Sequence, residues 1–292
     1  MENKTKQRTW WLLAALSAPL AHFSGCGWLS ASLAAAVILP LTLVPKSWEG
    51  MSRLLAQIQI LWLGFLTGLL LKNSACYWPS DNELVVPLTL LALAALTRKN
   101  AAPRIGAVLA FCIGLLALPV AVSGAAHIEP EWMHGRIGSW PAALSLVLLL
   151  PSLPAAGEEG KVSRSVPLAF AAVLPAILVQ GTISPGVAGS VEDPFYQTAR
   201  TLGYLEPVAA VGMTLGWYAM AVYLLHSASV IAAAGEIGHK TASVLPVGTA
   251  LAALLLKWQP SVQICTVLSA LLWVLIPFWT KIKKSKKDEK RC

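Results

Sequence analysis

Apolar runs of membrane-crossing length, broken by short polar or glycine- and proline-containing segments, set the pattern of this chain. The longest run lies between Glu206 and Glu236, 29 residues with no Lys, Arg, Asp or Glu and one histidine, His226. At ~1.5 Å per residue a helix of that length exceeds a ~30 Å hydrocarbon core, so a tilted or protruding transmembrane helix is expected. The run is preceded by Asp193-Pro194-Phe195-Tyr196, an N-cap residue followed by a proline suited to the first helical position. A short amphipathic helix is predicted from there to about Tyr204, with Phe195, Ala199 and Leu202 on one face and Arg200 on another.

The same reading applied along the chain predicts ten spans. From Arg8 no charge occurs until Lys46, an interval of 37 residues that is too long for one crossing and is interrupted at His22-Phe23-Ser24-Gly25-Cys26-Gly27. Spans are therefore predicted at about 9–22 and 28–44, then between Arg53 and Lys72, at about 84–97, 104–125 and 137–156. The seventh lies between Arg164 and Glu192 and ends near Gly181; the eighth is the long run after Glu206. The ninth covers about 241–256 and the tenth lies between Lys257 and Lys281. Ser17-Ala18-Pro19 in the first span and Pro141 in the sixth predict broken helices, as expected of corresponding first helices in two inverted five-helix halves.

Charge fixes the expected orientation. With both termini cytoplasmic, 18 of the 22 Lys and Arg fall on inner segments, and only Lys72, Arg136, Arg200 and Lys257 fall outside. Merging the first two spans would leave 7 inside against 15 outside, so they are read as separate crossings. Composition agrees: 56% hydrophobic residues, 12% charged and a mean hydropathy of +0.65 describe a single polytopic membrane domain over 1–292, with a basic cytoplasmic tail at 281–292. That tail suits anionic membrane lipids, although an ordinary inner flank after the last span explains it without a special partner and is the preferred reading. No aromatic-interleaved basic patch points to nucleic acid. Phe23-Ser24-Gly25-Cys26 resembles a lipoprotein cleavage box, but Phe stands where an aliphatic residue is usual and Cys26 leads into another span, so cleavage is not expected. Cys26 and Cys76 fall on the outer side in this topology; unpaired thiols are expected there rather than a disulfide.

Candidate chemistry is sparse. The chain has no nucleophile elbow, HExxH, phosphate-binding loop or paired intramembrane carboxylates, so neither an enzyme nor a metal or cofactor site is expected. His226 is the one histidine placed well inside a span, where an ionisable group is costly unless it meets a cavity or partner. Gln57 and Gln59, Ser139 and Ser145, Gln180, Thr214, Tyr218 and Tyr223 are among the few other polar side chains within predicted spans. Taken singly, such amides and hydroxyls serve as interhelical hydrogen-bonding groups, and only their convergence would mark a site.

Pro194, Phe195, Tyr196, Arg200, Gly203, Glu206, Trp217 and Tyr223, together with Trp140-Pro141 and Leu150-Pro151, form a pattern that resembles GerAB-type spore germination proteins. These are a branch of the amino acid–polyamine–organocation transporter superfamily. The carboxylate often found after the sixth-span proline in that family is absent here, where Ala142, Ala143, Leu144 and Ser145 stand. The resemblance implies a ten-helix, 5+5 inverted-repeat fold and a small amino-acid-like ligand bound near the midplane. It also implies partner subunits of the GerAA membrane type and the GerAC lipoprotein type. A free-standing amino acid or polyamine permease and a non-binding membrane scaffold are the alternative functions. Because no Lys or Arg falls inside a predicted span, a ligand carboxylate is expected at the half-helix N-termini of the first and sixth spans. Ser17, Gln57, Ser139 and Tyr218 are the candidate ligand contacts, with His226 as an inner-side polar contact or proton-sensitive group.

Overall fold

In a computed structural model the described residues are 2–42, 52–78, 81–98, 103–134, 162–256 and 262–275. The expected sixth span at 137–156, with Ser139 and Trp140-Pro141, and the basic tail at 281–292 lie outside them. Among the described residues the protein is all-helical. The main elements are α1 (Glu2–His22), α2 (Trp28–Thr42), α3 (Arg53–Leu71), α4 (Val85–Thr97), α5 (Pro103–Ala125), α6 (Val162–Thr182), α7 (Pro194–Thr201), α8 (Glu206–Ala234), α9 (His239–Leu255) and α10 (Val262–Ala270). Helix α10 continues into a π-helical turn at Leu271–Leu275, and 3-10 turns follow α1 at Phe23–Cys26 and α3 at Lys72–Tyr77.

Three segments, Arg53–Tyr77, Ile105–Ala125 and Glu206–Ala234, are long and apolar enough to cross a membrane. Three more apolar helices, at Val85–Thr97, Val173–Thr182 and Gln263–Trp273, are shorter. This is therefore a membrane protein, and the outer face of α5 shows why. Ile105, Val108, Phe111, Leu115, Leu118 and Val122 form an exposed apolar stripe at three- and four-residue spacing. Gly106, Ile113, Val120 and Gly124 face inward. A continuous apolar stripe of that length would be unfavourable in water and is at home in hydrocarbon.

Helix α8 is the axis of the bundle. From Met213 to Ala232 no residue is exposed and fourteen of the twenty are buried, as expected for a helix surrounded by other helices. Close approach is possible because small residues stand at the crossings. A side chain at Gly216 would meet Ala18 Cβ at 2.7 Å and Ser17 Oγ at 2.8 Å on α1. On α3, Gly64 and Gly68 lie against the backbone of α9, at Pro246 and Ala250 respectively, a small-xxx-small crossing of the kind that lets membrane helices pack backbone to backbone.

The residues that meet also give the direction of each helix. The Trp11 ring meets Tyr223 edge-on and His226 at a tilt while Ser17 and Ala18 meet Gly216, so α1 and α8 are antiparallel. Trp11 packs at Gly106 and Ala14 at Ile113, so α1 and α5 are parallel. Gly124 packs on Leu178 and Thr182, and the Glu129 amide donates to the Gly181 carbonyl at 2.8 Å, so α5 and α6 finish at the same end. Helix α2 starts there, its Trp28 amide donating to Gln180 Oε1 at 3.1 Å. Gln59 donates to the Leu272 carbonyl and Trp62 to Ser269 Oγ, making α3 and α10 antiparallel, whereas α3 and α9 are parallel. Direction thus reverses at each described connection between long helices, as consecutive crossings require. It does so at Phe23–Gly27, separating α1 from α2. Gly27, with φ of 81°, takes the left-handed conformation that ends the turn.

One sequence expectation needs correction. The first span is not broken at Ser17-Ala18-Pro19: α1 runs through Pro19 to His22. A proline removes one amide donor but need not interrupt a helix that is held on both sides by neighbours, and here α5 and α8 flank it. Irregular backbone begins only at Phe23. Cys26 and Cys76 are free thiols, as the sequence favoured.

The α3–α9 crossing has a direct test. Gly68→Leu would place its Cβ 2.8 Å from Ala253 Cβ and closer still to the Ala250 carbonyl oxygen, an overpacking expected to cost about 1–3 kcal/mol. A lower thermal midpoint in detergent is expected for Gly68→Leu but not for Gly248→Leu, where the added side chain meets open space.

Candidate functional site

The most heavily bonded ionisable group in the described structure is Asp193. The Asp-Pro sequence starts α7 as expected, with the Asp193 side chain accepting from the Tyr196 amide at 2.8 Å and Pro194 in the first turn. Phe195 and Ala199 are buried beneath it, and Arg200 is exposed. The cap is only half of what the carboxylate does. Its second oxygen, Oδ2, accepts from His22 Nδ1 at 3.0 Å and from the Tyr77 hydroxyl. Trp217 Nε1 donates to that hydroxyl at 3.1 Å, and the His22 ring meets Trp217 edge-on at 5.7 Å. The side chains of His22, Tyr77, Asp193 and Trp217 are all buried.

One carboxylate therefore joins the end of α1, the turn after α3, the start of α7 and the middle of α8. Tyr196 extends the cluster, its ring meeting Tyr77 at 5.2 Å and its hydroxyl donating to Glu206 at 2.8 Å. Burial alone would push the Asp193 carboxyl up. The hydrogen bond and charge of His22, the Tyr77 hydroxyl and the Tyr196 amide outweigh it and hold the group below its ordinary value of 3.8. Partial burial and the bond to Glu206 push the Tyr196 hydroxyl up to about 12, so it is a neutral donor near pH 7.

The sequence-predicted contacts do not share this site. Ser17 lies at the α1–α8 crossing with its hydroxyl donating to the Ala14 carbonyl of its own helix at 2.7 Å. Among the described residues it is also the one hydroxyl lining a cavity of about 680 Å³, with Leu13, Leu116, Ala121, Leu178 and Met213. Gln57 is half-buried on α3; the fully buried amide is Gln59, whose Nε2 reaches the Leu272 carbonyl at 3.3 Å while its Oε1 has no partner. Tyr218 donates to Thr97 Oγ1 on α4 at 2.9 Å. His226 Nδ1 donates to the Arg98 carbonyl at 3.3 Å, and its ring lies 5.1 Å from that of Trp11. Tyr218 and His226 thus converge on the last residues of α4, away from Ser17 and Gln57. Ser139 lies outside the described residues. Among the described residues no three His, Cys, Asp or Glu side chains converge in a way that would hold a metal ion.

Three residues carry little signal in the sequence, among them Tyr77, 116 positions from the carboxylate it bonds. His22 was part of the break between two spans, and its pairing with a carboxylate 171 positions away has no local signature. Arg98 stood as a flank just beyond the fourth span, yet it is only 7% exposed. A basic residue directly after a short apolar helix was the available signal.

No protein-family model matches the chain, and no curated protein sequence matches it.

Asp193→Asn tests the cluster. It keeps one acceptor for the Tyr196 amide and removes the charge beside His22. Breaking one partner of a buried ion pair costs about 3–5 kcal/mol, so a lower thermal midpoint at pH 7 is expected. A depressed carboxyl stabilises fully above the unfolded-state value near 3.8, and that contribution is lost as pH falls through the lower folded value. The gap between wild type and Asp193→Asn should therefore narrow as pH falls through that range, as read by melting curves across pH.

Proposed function

We propose that this protein is a transporter-like membrane subunit of the GerAB type, which senses or passes a small amino-acid-like ligand in a spore germinant receptor. The observation that carries the reading is the Asp193 cluster. The Asp-Pro-Phe-Tyr block, on which the family resemblance centres, is the part of the chain that fastens the short helix α7 over the junction of α1, α3 and α8. An amphipathic cover held by a few specific bonds suits an entrance that opens and closes. In this reading the chain crosses the membrane ten times with both termini cytoplasmic, and alternating helix directions support that count. Its two five-helix halves are related by inversion, and it assembles with GerAA-type and GerAC-type partners in the cell membrane or spore inner membrane. It performs no catalysis.

One observation favours a second reading, a membrane scaffold that binds no solute. Among the described residues the cavity beside Ser17 is lined almost wholly by apolar side chains, which would leave an amino acid's charged groups unpaired. Thermal stabilisation of the purified protein by individual amino acids decides between the two. The transporter-like reading expects at least one to raise the midpoint, and Tyr218→Phe to weaken that ligand by about 2- to 10-fold, the effect of one hydrogen bond. A protein that no amino acid stabilises, alone or with its co-purified partners, is the scaffold.

A further inference from the structure

Arg98 is the least satisfied cation among the described residues. It is the residue that ends α4, it is 7% exposed, and its Nη1 is buried without a hydrogen-bond partner. No described carboxylate forms an ion pair with it; the one ion pair among the described residues is His22 with Asp193. A guanidinium stays protonated at any accessible pH and cannot escape by neutralising itself. Leaving it enclosed and unpaired is among the costliest arrangements a side chain can adopt. A cation is favourable near the C-terminus of α4, but that attraction is satisfied by position alone and leaves Nη1 without an acceptor.

The surroundings hold the residue in place. The His226 ring donates to the Arg98 carbonyl, Tyr218 donates to Thr97 next to it, and Trp11 packs on both His226 and Tyr223. The last turn of α4 is thereby pinned to α8 by two side-chain bonds, so the guanidinium is anchored on a rigid base. Two of the polar residues singled out by sequence, Tyr218 and His226, are the ones that do the pinning.

We infer that Arg98 is an oxyanion-binding residue, its free Nη1 completed by a carboxylate or phosphate oxygen from outside the described chain. The planar fork of arginine suits either group in two-point contact. The oxyanion has two sources, a free small anion or the phosphate of an anionic lipid whose headgroup reaches the bundle at this level. The site does not depend on transport: a scaffold that binds no amino acid keeps it if the source is lipid. It also removes the need for a broken first helix as the carboxylate partner, which α1 does not supply.

The test is thermal stability of the full-length protein with three probes: acetate, inorganic phosphate, and nanodiscs of phosphatidylglycerol compared with phosphatidylcholine. Chloride at equal ionic strength is the control. Wild type should be stabilised by acetate or phosphate if the source is free, or by phosphatidylglycerol alone if it is lipid. Arg98→Gln should bind the effective probe about 10- to 100-fold more weakly, as expected for loss of a charged hydrogen bond, and Arg98→Lys should lose less. If Arg98→Gln does not fold, wild type against Arg98→Lys carries the comparison. Equal response to all probes and to chloride, or a probe response that neither variant changes, overturns the assignment.

Discussion

The arrangement turns on burying one aspartate. A carboxylate away from water must find donors, and Asp193 takes three, from His22, Tyr77 and the Tyr196 amide. They come from the end of α1, the turn after α3 and the start of α7, and Trp217 of α8 backs the tyrosine. The geometry is mutually dependent. Without the 3-10 turn at Lys72–Tyr77, the tyrosine hydroxyl would not reach the cap. Without the end of α1 at His22, the carboxylate would lack its ring N–H donor. A cluster of this kind adds little to stability over a well-packed apolar one, but it is intolerant of partial disassembly. It therefore specifies one arrangement of the helix ends.

Packing along the rest of the bundle follows a different physics. In a membrane, water does not drive helices together, so contact depends on how closely backbones approach and on the few hydrogen bonds between them. Gly216 admits α1 to α8, and Gly64 and Gly68 admit α9 to α3. Buried amides and indoles then fix registers: Gln180 joins α6 to α2 and to the Trp132 carbonyl, and Trp62 joins α3 to α10. The remaining hydroxyls within the helices mostly donate to carbonyls of their own helix, one turn back. That explains why the cavity beside Ser17 is so apolar, and why Arg98 stands out.

Helix positions were legible because a membrane leaves the backbone few choices: a long uncharged run must hydrogen-bond internally, and charge marks its ends. The Asp193 cap was legible for the same local reason, since an Asp-Pro pair starts a helix whatever surrounds it. What the cap binds was not, because His22 and Tyr77 are 171 and 116 positions away in the chain. Pro19 does not break α1, since a lone proline breaks a helix only where neighbours fail to support it. Gln57 and Gln59 stand on opposite faces of α3, and hydropathy alone does not say which face is buried in so apolar a helix. Arg98 reads as a flanking charge because a sequence reports where a span stops, not how deep the next residue sits.

The pairing of His22 with Asp193 is the most direct place to test this account. A double-mutant cycle with His22→Gln, Asp193→Asn and the double variant, followed by thermal or denaturant unfolding in detergent, measures their coupling without attributing either single loss to the contact. Buried partners in one network couple by about 0.5–3 kcal/mol, and the account predicts a value in the upper half of that range at pH 7. Strictly additive effects would show that the helix ends are held by packing alone, and would contradict it.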